Sequence, residues 1–204
     1  LAWPAVGLAH PDTPHLDLLA FVLGEGESCR LVRRVKERDG AVDGIDCSCY
    51  TPLDAGLFGV SADLDAERVP AALEAIAREI DWVRREAVTP DELDKARVNF
   101  LASEHSERES VAGQARKPGS FQVLAGDPDQ ERVYLEAVRS ATAEDLLRVA
   151  RHYLVPERLT VAAVLPEATA PELDDKAVAQ ALARGHERVA MVAMPPLRMP
   201  AASD

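Results

Sequence analysis

Between Leu16 and Tyr50 the chain changes its hydrophobic period twice, and glycines mark both changes. Leu16, Leu19, Ala20 and Leu23 recur at helical spacing, and Gly24 and Gly26 supply the permissive backbone that ends such a helix in a sharp turn. Ser28 is placed to cap a second helix, with Leu31 and Val35 facing inward and Arg33, Arg34, Lys36 and Arg38 facing solvent. Asp39-Gly40 stops it. Val42 to Tyr50 then alternates small and β-branched residues, the pattern of a half-buried strand rather than a third helix.

The rest of the chain extends this plan. Ala2 to Ala9 reads as a first strand, interrupted early by Pro4, and the His10–His15 stretch with its two prolines is a turn. After Tyr50, Thr51–Gly56 is a hairpin loop, and Leu57, Phe58, Val60 and Leu64 belong to a strand returning antiparallel. Asp65 is a suitable N-cap for a helix whose apolar stripe is Val69, Leu73, Ile76, Ile80 and Val83. Thr89-Pro90-Asp91-Glu92 is a capping box with proline at the first helical position, and Leu93, Ala96, Phe100 and Leu101 face inward behind it. Residues 103–110 are polar on every face, and the Gly/Pro breaks within 114–130 predict a mobile or partner-contacting stretch. Helical spacing resumes over 130–139 and 143–154, the latter capped by Thr142 with Asp145 three residues on. Leu159 to Leu165, bounded by Pro156 and Pro166, reads as a central strand.

The expected fold is therefore α+β: a mostly antiparallel sheet of about four strands with helices packed on one face. Residues 1–166 form the domain. Residues 167–204 read as a linker toward a following domain, with a helix from Pro171 to Arg184 and proline-rich chain beyond it. Because the chain opens with Leu rather than Met, we expect it to be a piece of a longer polypeptide.

Composition narrows the partners. Aromatic residues make up only 4%, so the core must be built mainly from Ala, Val and Leu. The 35 acidic against 23 basic residues leave a formal charge of -12, which repels nucleic acid and anionic lipid. The one basic run, Arg30 to Arg38, has the spacing of a solvated helix face. No apolar run approaches the length a membrane-spanning helix requires. Cys47 and Cys49 sit two apart on the proposed strand, which separates their Cβ atoms by about 6 to 7 Å, too far for a disulfide. An odd cysteine count without a CxxC pair argues against a structural zinc site. It also suits a reducing compartment, the cytoplasm, slightly better than the periplasm or the outside, although the sequence leaves localisation open.

Several landmarks in one order carry a resemblance: Leu23-Gly24-Glu25-Gly26-Glu27-Ser28-Cys29-Arg30-Leu31, Thr89-Pro90-Asp91-Glu92-Leu93, Thr142-Ala143-Glu144-Asp145 and the last apolar run before Pro166. From about Ala2 to Pro166 the chain resembles the second, non-zinc subdomain of the insulinase/pitrilysin (inverzincin) metallopeptidases, relatives of the mitochondrial processing peptidase and of respiratory-complex core proteins. The resemblance implies two homologous halves closing around an unfolded peptide, with zinc held in the first subdomain by an HxxEH helix. None of His10, His15, His105, His152 and His186 stands in such a motif, so we assign no metal and no catalytic residue to this chain. Zinc is expected in the parent enzyme, and the expected partners are the zinc-bearing subdomain and an unfolded peptide.

The resemblance also implies substrate-binding positions. Some relatives carry an arginine and, seven residues on, a tyrosine that touch the substrate carbonyl; here that register reads Lys36 and Asp43. Lysine keeps the charge, but Asp43 cannot donate as a phenol does. The Gly24–Gly26 turn and Ser28 fall where processing-peptidase relatives carry a glycine-rich substrate-sensing loop, a position that helix capping explains equally well. The expected role is a non-catalytic wall of a metalloendopeptidase chamber. The alternative is a catalytically inactive, core-protein-like assembly subunit.

Other constellations have plainer explanations. Glu104, His105, Glu107 and Glu109 sit at metal-ligand spacing on a helix that is charged all round, so a solvated face accounts for them. His10 and His15 flank prolines in a loop, and Trp3 and Trp82 are single indoles suited to core packing. No Ser-His-Asp or Cys-His arrangement can be argued from the spacings.

Overall fold

The structure, a computed structural model, describes residues 1–165 and 174–191. Three antiparallel strands, β1 (Ala2–Val6), β2 (Gly44–Tyr50) and β3 (Ala55–Asp63), form a sheet of order β1-β3-β2. Helix α1 (Thr13–Gly24) lies against it, followed by a helical segment over Val32–Arg38, α2 (Val69–Arg85), α3 (Pro90–Glu107), α4 (Val111–Leu124), α5 (Gln130–Ser140), α6 (Ala143–Tyr153) and α7 (Asp175–Met191). The α+β class and the one-sided helical layer are as expected.

One core joins the sheet with α1, α2, α3, α5 and α6. Trp3, Phe58 and Val60 point from the sheet onto Leu16, Leu19 and Leu23 of α1, and Ile76, Ile80 and Val83 of α2 close it from the side with Leu146 and Val149 of α6. All five residues of the predicted α2 stripe are buried. Both predicted capping boxes are present, with Thr89 and Glu92 opening α3 and Thr142 and Asp145 opening α6. Pro4 is tolerated for a geometric reason. Leu1 exchanges backbone hydrogen bonds with Val60 of β3 and Ala2 exchanges them with Thr160, so alternation turns Pro4, which has no N–H, away from β3.

Several expectations need correction. Leu159–Leu165 is not a central strand: only Thr160 pairs, through an isolated antiparallel bridge to Ala2, on the outer side of β1. Among the described residues the sheet has three strands, with that bridge in place of the fourth. Residues 111–124, read as a broken and mobile stretch, form α4 with Pro118 inside it; Ser110 accepts a hydrogen bond from Gly113 N–H and opens the helix. Pro118 removes one hydrogen bond from a largely exposed helix, where water can take the freed carbonyl.

The basic helix differs as well. It is wound as a π-helix over Val32–Arg38, a winding seldom sustained beyond one turn, and no side-chain hydrogen bond from Ser28 caps it. Arg34 is buried rather than wet, paired with the fully buried Glu79 at 3.0 Å. Gly24 is an ordinary helical residue pressed onto β2, where a Cβ would lie 2.4 Å from Cys47 N. Of the two turn glycines, Gly26 alone takes a positive φ, +77°. The expected helix after residue 170 is α7; it lies along α2, with Ala181 fully buried beside Val69 and Leu73. The predicted residues 171–173 of that helix, and 192–204, lie outside the described residues.

Candidate functional site

The five candidate residues fall into two groups. Gly24 is the last residue of α1, and Gly26 and Ser28 belong to the turn between α1 and the π-helix, whose backbone closes through Cys29 N–H to Gly26 O. Lys36 and Asp43 lie beyond, at the exposed end of the π-helix and at the entry to β2. The Lys36 ammonium side chain is in solvent, and Asp43 accepts from Arg68 Nη2 at 2.6 Å. A carboxylate already bound to a guanidinium has no proton to offer a peptide carbonyl.

The turn is anchored from below by a pairing the sequence did not advertise. Arg30, 3% exposed, donates from Nε and Nη2 to the two carboxylate oxygens of Glu92, both at 2.8 Å. Glu92 is also the reciprocal member of the α3 capping box, accepting Thr89 N–H at 2.9 Å. Burial alone would raise this carboxyl, but the Arg30 guanidinium and the Thr89 bonds override it and hold it at about 2. A shallow crevice lined by Glu25, Ser28, Arg30, Glu92, Lys95 and Asn99 opens beside the pair, with a volume of about 20 Å³. That is room for a water molecule, not for a peptide side chain.

A second buried cluster joins α1, β2 and α5. Tyr134 O–H donates to Asp17, and the Cys49 thiol also hydrogen-bonds that carboxyl. Burial pushes Asp17 up to about 6, against the lowering effect of those two donors, while burial and the Asp17 charge push the Cys49 and Tyr134 protons to higher pKa. Phe21, Phe100, Tyr134 and Phe121 run past it as a chain of edge-on or tilted rings. The first cluster opens only onto that small crevice, whereas Tyr134 of the second lines a hollow. A larger, mainly apolar hollow of about 180 Å³ lies between the Leu8–Pro14 loop and α4–α5, with Phe121, Val133 and Tyr134 on its wall.

No metal centre emerges. Among the described residues no group of three or more His, Cys, Asp or Glu side chains could hold an ion. His105 and Glu109 do not form one, and Cys29, Cys47 and Cys49 are free thiols. The donor set does not fit a catalytic zinc, which needs three converging ligands.

The sheet face turned away from α1 is accessible. Pro4, Leu57, Tyr50, Ser48, Asp46 and Ser61 are all exposed there, and no described element covers them. Its apolar end is formed by Tyr50 and Leu57, which pair across β2 and β3, with Leu53 in the connecting turn.

Comparison with known proteins agrees with this architecture. Residues 1–100 match the family described as the Peptidase M16 inactive domain. An uncharacterized zinc protease of Streptomyces coelicolor is 28% identical over 150 residues, 72% of this chain and 33% of that protein. The chain thus spans about a third of the length of the curated relatives it matches. Among solved structures, the inactive peptidase domain of a proposed zinc protease from Bordetella parapertussis superposes with a TM-score of 0.70 at 20% identity, over 81% of this chain and 89% of that one. A chain of complex III from Candida albicans gives 0.65 at 16% identity, over 74% and 40%. Taken with the one-sided antiparallel sheet, these matches show that residues 1–100 of the chain are similar to the M16 peptidase inactive domain.

Proposed function

We propose that this domain forms part of the wall of a substrate chamber in a zinc metalloendopeptidase, with hydrolysis carried out at a zinc site in another domain. The single observation that carries the reading is the uncovered sheet face. A sheet with helices on one side only leaves an extended, mixed apolar and polar surface, and Tyr50, Leu53 and Leu57 at its end are 67%, 57% and 49% exposed. Such a surface suits an unfolded peptide, which offers apolar side chains and backbone together. Of the candidate positions, Gly26 and Ser28 serve here as the turn beside the Arg30–Glu92 pair, Gly24 ends α1 against β2, and Lys36 contributes charge without a phenolic partner.

The test joins this domain to the zinc-bearing domain of its parent and follows cleavage of an unstructured peptide. Tyr50→Glu and Leu57→Glu should raise KM several-fold with kcat little changed, because binding alone is weakened. Full activity of the zinc-bearing domain without this one, or unchanged KM in both variants, would refute the proposal. A second reading, an inactive assembly subunit, is favoured by the engagement of Asp43 with Arg68, which leaves the substrate-carbonyl position without a donor. Absence of any peptidase activity in the whole assembly, with intact oligomers, would select it.

A further inference from the structure

The hollow between the Leu8–Pro14 loop and helices α4 and α5 has the size of one side chain. On α5 its lining residues are Gln130, Val133, Tyr134 and Ala137, at spacings of three and four that make a single helix face. Phe121 closes it from α4, and Leu8 and Pro14 from the loop. The Tyr134 hydroxyl is already engaged with Asp17, and His10 Nδ1 accepts Asp12 N–H, so the wall is mainly apolar. An apolar protein cavity of about 150 Å³ holds benzene, whereas pockets for whole small-molecule ligands start at about 300 Å³. At about 180 Å³ the hollow fits one aromatic or branched side chain and is too small for a cofactor-sized molecule. Val133 at its wall is 51% exposed, so the space opens to solvent.

We propose that this hollow is a side-chain pocket for an unfolded peptide, taking one aromatic or large aliphatic residue whose neighbours in the peptide are Lys or Arg. The identity of that peptide as substrate rests on the chamber reading. Two further observations select this occupant. The first is charge. Ala125 and Gln130 of the lining flank a connection that carries Asp127 and Asp129, both exposed and neither paired with a cation among the described residues. The cations around them are engaged or averted: His10 and Arg148 face Asp12, Arg108 pairs with Glu131, and Arg132, at about 100° per residue, lies on the far side of α5 from Gln130. A basic flank on the peptide therefore meets two open carboxylates. The second is continuity with the uncovered sheet face. Leu8 N–H donates to Pro52 O at 3.0 Å, and a Cβ on Gly7 would lie 2.4 Å from Leu53 O. The loop that bounds the hollow is thus fastened to the turn bearing exposed Leu53, beside Tyr50 and Leu57. A peptide anchored in the hollow by one side chain continues past Leu53 onto the sheet.

The experiment titrates the 204-residue chain with the synthetic peptide Gly-Lys-Gly-Phe-Gly-Lys-Gly and with its counterpart carrying Ala in place of Phe, following the methyl resonances of Leu8, Val133 and Ala137 by NMR. Burial of one ring should make the Phe peptide bind about 10-fold or more tightly than the Ala peptide, with the shifts concentrated at those three residues. Asp127→Asn combined with Asp129→Asn should weaken the Phe peptide several-fold; the amide oxygen at position 127 keeps the turn bond from the residue 129 N–H, so only charge is lost. Ala137→Phe fills the hollow from α5 and Ala125→Phe fills it from the end of α4. Each, with a cooperative unfolding transition retained, should bring the Phe peptide down to the affinity of the Ala peptide. Equal affinity of the two peptides for the unmodified chain would overturn the proposal whether or not the filled variants fold. So would shifts centred elsewhere, undiminished binding in a folded filled variant, or toluene moving the same methyls when the Phe peptide does not, since the pocket would then take free apolar molecules. No cleavage is read, so binding can fail while the KM effects at Tyr50 and Leu57 stand; loss of those effects with binding intact would remove the chamber role and leave the pocket.

Discussion

Replacing Glu92 by Gln should expose how strongly the turn between α1 and the π-helix depends on one buried ion pair. Glu92 is 14% exposed in its side chain and Arg30 3%, so both charges are largely shielded from solvent and salt. The carboxyl is held at about 2 instead of its ordinary 4.5. A group whose folded pKa is depressed stabilises fully above the unfolded value and loses that contribution as pH falls toward the folded one. The contribution at pH 7 is about 3 kcal/mol, of which about 1 is lost by pH 4 and about 2 by pH 3. Gln keeps an oxygen for Thr89 N–H and the α3 capping box, so the substitution isolates the charge. Urea denaturation of both proteins at pH 7, 4 and 3 should show the variant less stable by about 3, 2 and 1 kcal/mol respectively. A deficit under 0.5 kcal/mol at pH 7, or one that stays constant from pH 7 to 3, would show that Arg30 and Glu92 are not coupled as described.

Three further outcomes follow from the same structure. Asp17 shows the opposite sign: its folded pKa is raised to about 6 from 3.8, so its stabilisation is complete below pH 3.8 and lost as pH rises through 6. Asp17→Asn should therefore gain about 2 kcal/mol on the wild type between pH 4 and pH 7, measured as the change in their stability difference; a flat difference would contradict the buried placement. Gly24→Ala should destabilise by about 1–3 kcal/mol in chemical denaturation, because the new Cβ meets Cys47 N and Cβ at 2.4 Å and α1 must lift off β2. Thr142→Ala should lose about 1 kcal/mol, measured by thermal unfolding, through loss of the acceptor for Asp145 N–H.

Legibility in the sequence followed the range of the interactions. The capping boxes at Thr89 and Thr142 and the apolar stripe of α2 were readable because each depends on residues three or four apart in one helix. The β2–β3 pairing was readable because a short hairpin connection allows only an antiparallel return. Arg34 was misjudged as solvated because helical spacing cannot reveal a carboxylate 45 residues away in the chain, and Glu79 lies on α2. Gly24 was assigned to a turn on local grounds, whereas its role is the close approach of α1 to Cys47. The α4 helix was missed because Pro118 and its neighbouring glycines are local breakers that capping and surface exposure offset.

What the amino-acid order determined alone is the class of the molecule: helices over one antiparallel sheet, a net charge of -12, and the absence of an HxxEH motif. These rest on periodicity, composition and contiguous residues, all written in one dimension. Tertiary structure alone decided which charges became buried partners, that Asp43 belongs to Arg68, and that Leu159–Leu165 meets the sheet through the single bridge at Thr160. Each of those is a pairing between distant segments, and a backbone or side-chain group acquires its partner only when folding brings the two together.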